Sequence, residues 1–171
     1  ETAAVEFRDM SFTYEGAREP ALSGISFSVK RGQTVGIIGG TGSGKSTLVN
    51  LIPRFYDVTE GGVYVDGHDV REYPLDQLRG KTGVVPQKAV LFHGTLRENM
   101  QWGKKHASDG EIYEALKTAQ AFEFVEEKDE GLELYIQAGG KNLSGGQRQR
   151  LTIARALVRK PEILIKDDSA S

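Results

Sequence analysis

Apolar and polar residues alternate with a period of about two over residues 5–12 and again over 24–29, and the intervening YEGAREPALSG supplies glycine and proline breaks. That pattern predicts an antiparallel strand pair joined by a loop. TVGII, at 34–38, is a short run apolar on both faces, as expected of a central strand in a parallel sheet covered by helices. KSTLVNLI, which begins at Lys45, then has apolar residues at helical spacing and is stopped by Pro53. GGVYVDGHDV predicts a hairpin-type element, and TGVVPQ at 82–87 a further short buried strand.

Between about 95 and 157 the pattern becomes helical. Ser108 and Glu111 have the spacing of a capping box, after which Ile112, Ala115, Leu116, Ala119, Phe122 and Val125 fall on one helical face and read as packing residues. A glycine-containing loop, AGGKNLSGG, precedes QRQRLTIARALVRK. There Leu151, Ala154, Leu157 and Val158 form an apolar stripe opposite Arg148, Arg150, Arg155 and Arg159, which read as a solvated basic face, and Pro161 ends the run. EILIKDD is a short strand running into two carboxylates. Strands alternating with helices imply an α/β fold with a mostly parallel core sheet, an N-terminal antiparallel β element and an inserted α-helical subdomain. The expected organisation is one domain over 1–171, with a core of 1–94 and 158–171 and the helical subdomain at about 95–157.

Composition narrows the function classes. The chain has 171 residues, room for one ordinary domain with a real core. A formal net charge of −2 provides no broad basic surface for nucleic acid. There are no cysteines, which excludes disulfides and thiolate metal sites. No apolar run approaches bilayer-spanning length, and ETAAVEFRDMSF lacks the basic-then-apolar order of a secretory signal, so the chain as given is expected to be soluble.

The candidate chemistry begins where five glycines crowd into residues 36–44. Gly39, Gly40, Thr41, Gly42, Ser43, Gly44, Lys45 and Ser46 fit G-x-x-x-x-G-K-[ST], placed between an expected strand and an expected helix. The glycines let successive N–H groups curl inward, and the helix start adds its partial positive charge, which together make a phosphate cradle. Lys45 would reach the β and γ phosphates, the Ser46 hydroxyl would ligate magnesium, and Thr47 supports the helix start. A phosphate site also needs an acidic residue at the end of a neighbouring strand. Asp167 is expected on the metal side, with Asp168 facing the water that attacks the γ phosphate.

LSGGQ, made of Leu143, Ser144, Gly145, Gly146 and Gln147 and followed by RQRLTIARAL, resembles the signature motif of ATP-binding cassette (ABC) ATPases, and it lies between the phosphate loop and the acidic strand as in that family. The resemblance covers essentially the whole chain. FTY is similar to the adenine-stacking segment, with Tyr14 the candidate; VVPQ is similar to the segment that ends in the Q-loop glutamine, here Gln87; LFHGTLRENMQWG is similar to the stretch after that glutamine in exporters. The resemblance implies the nucleotide-binding domain of an ABC exporter, with ATP and Mg2+ as cofactors. Two such domains would pair head to tail, the phosphate loop of one facing Ser144 and Gly146 of the other across ATP. Gln87 would sense the metal and the attacking water and couple to transmembrane domains, which would hold the chain at the cytoplasmic face of the membrane. A serine and two glycines before a helix also form, on physical grounds, a second helix start with exposed N–H donors.

Three features depart from the family pattern. Asp168 stands where glutamate, the general base, is usual; one methylene less withdraws the carboxylate by roughly an ångström, which can cost on the order of a hundredfold in rate. QAGGKN before the signature departs from the usual glutamate-containing stretch. Both resemble the degenerate subunit of a heterodimeric exporter. The chain also ends at DDSAS, where the family continues to a switch histidine that none of His68, His93 and His106 matches, so a C-terminally truncated domain is expected. The alternative function is a regulatory nucleotide-binding module with little turnover. A soluble ABC ATPase acting on nucleic acid is disfavoured by the charge, and a small P-loop kinase would leave LSGGQ unexplained.

Overall fold

The computed structural model describes residues 2–33, 35, 44–85 and 90–166, without the side chains of Lys45 and Ser46. β1 (Val5–Phe12) and β2 (Leu22–Val29) pair antiparallel, as the alternation predicts, with Phe7 opposite Phe27 and the two rings stacked at 4.7 Å. Alternation alone would put Asp9 inside. Instead Asp9 takes a left-handed conformation (φ 43°) and the register shifts between Phe7 and Met10. This bulge keeps Val5, Phe7, Met10 and Phe12 all buried although their spacing is two, three, two.

α1 (Lys45–Leu51) buries Leu48 and Leu51 and gives way at Ile52 and Pro53, as predicted. β3 (Glu60–Val65) and β4 (His68–Asp69) form the expected hairpin. Its two-residue turn, Asp66 and Gly67, has φ of 50° and 81°, the primed geometry that an Asp-Gly pair supplies. The four strands make one antiparallel sheet in the order β2-β1-β3-β4. Gly61 sits against the bulge: a Cβ there would lie 2.3 Å from the carbonyl oxygens of both Arg8 and Asp9, so no side chain is accommodated. α2 (Leu75–Lys81) completes this first unit, which lies within Glu1–Thr82. Its Arg79 donates to the carbonyls of Pro53 and Arg54 at 3.0 and 3.1 Å, fastening the segment that follows α1.

The second unit spans Gly83–Lys166. β5 (Thr82–Val85) pairs with β8 (Ile163–Lys166). β6 (Gly94–Thr95) leads into α3 (Leu96–Gln101), followed by α4 (Asp109–Thr118), α5 (Phe122–Glu126), β7 (Tyr135–Ile136) and α6 (Gly145–Leu157). Leu91, Leu96, Met100, Ile112, Leu116, Ile136 and Leu151 form one buried core. The region is not wholly helical, since β6 and β7 pair antiparallel; two residues per strand are too few for a period to register. The apolar face expected to be one helix is two. Gln120 is left-handed (φ 61°), and the N–H groups of Gln120 and Ala121 donate to the carbonyls of Lys117 and Leu116, a Schellman cap that stops α4 without a glycine.

Candidate nucleotide site and signature helix

Gly44 precedes α1 in the left-handed conformation, φ 88°, and a Cβ there would meet Leu22 Cδ2 at 2.8 Å. Among the described residues no side chain caps this helix start. The N–H groups of its first turn have no intrahelical acceptor, so the terminus suits an anion. Gly39, Gly40, Thr41, Gly42, Ser43, Gln87, Asp167 and Asp168 lie outside the described residues, as do the side chains of Lys45 and Ser46. Among the described residues no group of His, Asp and Glu could hold a metal ion.

Thr47 is buried, and its hydroxyl shares a short hydrogen bond with the Tyr14 hydroxyl. Tyr14 is 38% exposed. Its ring is met edge-on by Phe12 at 4.7 Å and by Tyr56 at 5.5 Å. The residue expected to stack on adenine is thus tied by its hydroxyl to the helix that opens at the phosphate loop. Tyr56 was not anticipated from sequence; its position after a proline-terminated helix gives no periodic signal.

At the other candidate site, Leu143 packs against the core and Ser144 caps α6. Both halves of a capping box are present. The Gln147 N–H donates to Ser144 Oγ at 3.1 Å, and the Ser144 N–H donates to Gln147 Oε1 at 3.0 Å. Ser144 Oγ accepts in that bond and keeps its own proton to donate elsewhere. Gly145 and Gly146 are exposed. A Cβ at Gly146 would meet nothing within 4 Å, and one at Gly145 only Arg148 Nη2 at 3.7 Å. Neither has positive φ. Nothing among the described residues requires glycine at either place.

The loop before the signature is built rather than slack. Asn142 accepts from the Gln137 N–H at 3.0 Å and donates to the Tyr135 carbonyl at 2.9 Å. Gly140 is left-handed, and a Cβ there would meet the Arg148 side chain at 2.8 Å, so the glycine of this unusual stretch has a packing reason.

Of the four arginines expected on a solvated face, Arg155 departs. It is half-buried; its Nη1 donates to the Val90 carbonyl at 2.8 Å and its guanidinium lies 5.5 Å from the Phe92 ring centroid. Burial lowers its pKa from the ordinary value. Phe92 in turn lies 4.8 Å from the Trp102 ring, and Val90, Phe92 and Trp102 are 51%, 42% and 70% exposed, an apolar patch that sequence reading passed over. The visible signal was Trp102 itself, placed at the end of a short helix where no core position calls for it.

A profile of the family described as ABC transporter matches residues 22–171. The chain belongs to the ABC transporter family. It is 48% identical over 167 residues to the putative multidrug export ATP-binding/permease protein YgaD of Bacillus subtilis (strain 168), covering 98% of this chain and 29% of that protein. With the ATP-dependent lipid A-core flippase of Vibrio cholerae serotype O1 it shares 46% identity over 172 residues, again 98% of this chain and 29% of the relative. The structure of a bacterial Atm1-family ABC exporter with ATP bound superposes with a TM-score of 0.82 at 38% identity, over 99% of this chain and 29% of that one. The mixed α/β fold is therefore that of an ABC nucleotide-binding domain, and the chain spans 29% of the length of the curated relatives named here. Proteins of this family are in general ATPases. No helix among the described residues is long and apolar enough to cross a membrane.

Proposed function

We propose that this chain is the ATP-binding and ATP-hydrolysing domain of an ABC exporter, which drives export by pairing head to tail with a second nucleotide-binding domain when ATP is bound. The observation that carries this reading is the start of α6. Glycine is a poorer helix residue than alanine, by up to about 1 kcal/mol in a helix interior, yet nothing among the described residues stands in the way of a Cβ at Gly145 or Gly146. A ligand presented by another molecule and approaching the backbone closely accounts for them.

In this reading the uncapped start of α1 and the phosphate loop, with Gly39 to Ser46 contributed by one domain, face Ser144, Gly145, Gly146 and Gln147 of the other across the triphosphate. Lys45 takes the β and γ phosphates and Tyr14 stacks on adenine. Ser46, Gln87 and Asp167 would hold Mg2+, which supplies charge neutralisation on the phosphate oxygens. Asp168 orients the attacking water from a carboxylate one methylene short of the usual reach, so the domain's own site turns over weakly. The partner is then a second, unlike domain whose site this chain's intact signature completes. The domain comprises a core of 1–94 and 158–171 with a helical subdomain at about 95–157. Transmembrane domains dock on the exposed patch of Val90, Phe92 and Trp102, which holds the chain at the cytoplasmic face of the membrane.

The deciding experiment measures ATP affinity and hydrolysis of the full-length protein with Lys45→Ala and Asp168→Glu. Loss of ATP binding in the first and a gain in turnover in the second are expected. Unchanged ATP affinity in Lys45→Ala overturns the reading, and unchanged turnover in Asp168→Glu removes the weak-site assignment.

A further inference from the structure

We propose that Arg155 is a positioning residue that fastens the 90–92 segment and the Trp102 corner to the signature helix, so that a displacement of α6 is delivered to the exposed aromatic patch. The inference rests on α6 being the helix that meets ATP in the paired state. Residue 155 lies eleven positions beyond the Ser144 cap, about 16 Å along the helix, and there α6 grips its surroundings in three ways. The guanidinium donates to the Val90 carbonyl at 2.8 Å. It also covers the Phe92 ring at 5.5 Å. On the backbone side the Arg155 carbonyl comes so close to Gly103 that a Cβ on that residue would lie 2.0 Å from its oxygen.

The far side of the junction is equally fixed. Asn99, almost wholly buried, accepts from the Phe92 N–H and donates to the Phe92 carbonyl, each at 2.9 Å. The Phe92 ring is therefore held from its own backbone as well as from Arg155, and it lies 4.8 Å from Trp102. A surface arginine would ignore these groups: Arg148, Arg150 and Arg159 are exposed, whereas Arg155 is partly buried and reaches a main-chain carbonyl 65 residues away. Lysine cannot reproduce the arrangement, because a planar fork both donates to the carbonyl and stacks on the ring, while an ammonium does one or the other.

Trp102 is the single tryptophan of the chain and so reports on its own corner. The full-length protein is labelled with fluorotryptophan, the Trp102 resonance is assigned by its loss in Trp102→Phe, and the fluorine shift on adding ATP and Mg2+ is followed together with ATP affinity. In the wild type ATP moves the resonance. In Arg155→Met the movement falls by at least half while ATP affinity stays within about twofold, since Arg155 lies about 16 Å along α6 from the Ser144 cap that meets ATP in the proposed pairing. Arg155→Lys restores part of the movement, a graded rescue that a purely structural defect would not give. Phe92→Leu, which keeps apolar bulk without the ring face, reduces the movement too and decides the matter if Arg155→Met fails to fold. A full-sized movement in Arg155→Met or Phe92→Leu overturns the proposal, as does a wild type that binds ATP with no movement at Trp102. A wild type that binds no ATP overturns instead the nucleotide-binding reading on which the proposal stands.

Discussion

The hydroxyl of Tyr14 is hydrogen-bonded to the hydroxyl of Thr47, joining the loop after β1 to the first turn of α1. Thr47 is buried and Tyr14 exposed, so one oxygen depends on the bond far more than the other. The bond anchors the hydroxyl end of a ring already met edge-on by Phe12 and Tyr56.

Tyr14→Phe keeps the ring and strands the Thr47 hydroxyl, at a cost of about 1 kcal/mol in stability. Tyr14→Ala removes the stacking surface as well, worth about 1 kcal/mol of adenine binding. Denaturant titration should therefore register both variants, whereas titration with a fluorescent ATP analogue should register chiefly Tyr14→Ala. Equal losses of ATP affinity in the two would place the contribution in the hydroxyl and not in the ring.

Gly145→Ala and Gly146→Ala should move stability and function in opposite directions. Both glycines have room for a Cβ, so alanine stabilises the isolated fold by about 0.5 kcal/mol through the unfolded chain. The same methyl stands where a partner's triphosphate would approach the helix start, and ATP hydrolysis by the full-length protein should fall. A destabilised variant would show that the glycines serve the fold after all.

What the chain disclosed in advance was whatever a local rule fixes. The Asp66-Gly67 turn, the proline stop after α1 and the Ser108 box each depend on residues a few positions apart. The signature stretch was legible for the same reason, as a small polar cap and two glycines ahead of a periodic run. The bulge at Asp9 was not, because it is accommodated by Gly61 on the neighbouring strand, far off in sequence, and the cap at Gln120 was hidden because the left-handed residue is not a glycine. Arg155 looked like its solvated neighbours, since its carbonyl partner stands 65 residues away in the chain. Periodicity assigns a residue to a face but does not say which long-range acceptor that face meets.

The start of α4 should make stability depend on pH in the acid range. Lys104 and the Ser108 N–H, which Glu111 accepts from, hold the Glu111 carboxyl down from 4.5 to about 2. A depressed carboxyl contributes stability that is fully present above its unfolded value and is lost as pH falls from 4.5 towards about 2. Glu111→Gln retains an acceptor for the Ser108 N–H but has no charge to titrate. The difference between wild-type and Glu111→Gln denaturation midpoints should be constant at neutral pH and shrink through the acid window. A difference that stays constant down to acid would mean that the pair with Lys104 contributes nothing to folding.

Ser144 caps α6, the proposed pairing gives it a phosphate contact as well, and substitution can split the two. As the cap of α6 it accepts from the Gln147 N–H, and Ser144→Ala should forfeit about 1 kcal/mol, or roughly 2–4 °C in thermal midpoint. Asparagine caps as well as serine does, so Ser144→Asn should melt like the wild type. Its amide is bulkier, however, and its free donors sit on Nδ2 rather than on the capping oxygen, so no proton stands where serine would hold one towards a partner's phosphate. ATP-dependent pairing, followed by light scattering on the full-length protein, should therefore fail in both variants although only one is destabilised. If Ser144→Asn pairs like the wild type, the serine is a helix cap and nothing more, and the exposed glycines beside it must grip the phosphate alone.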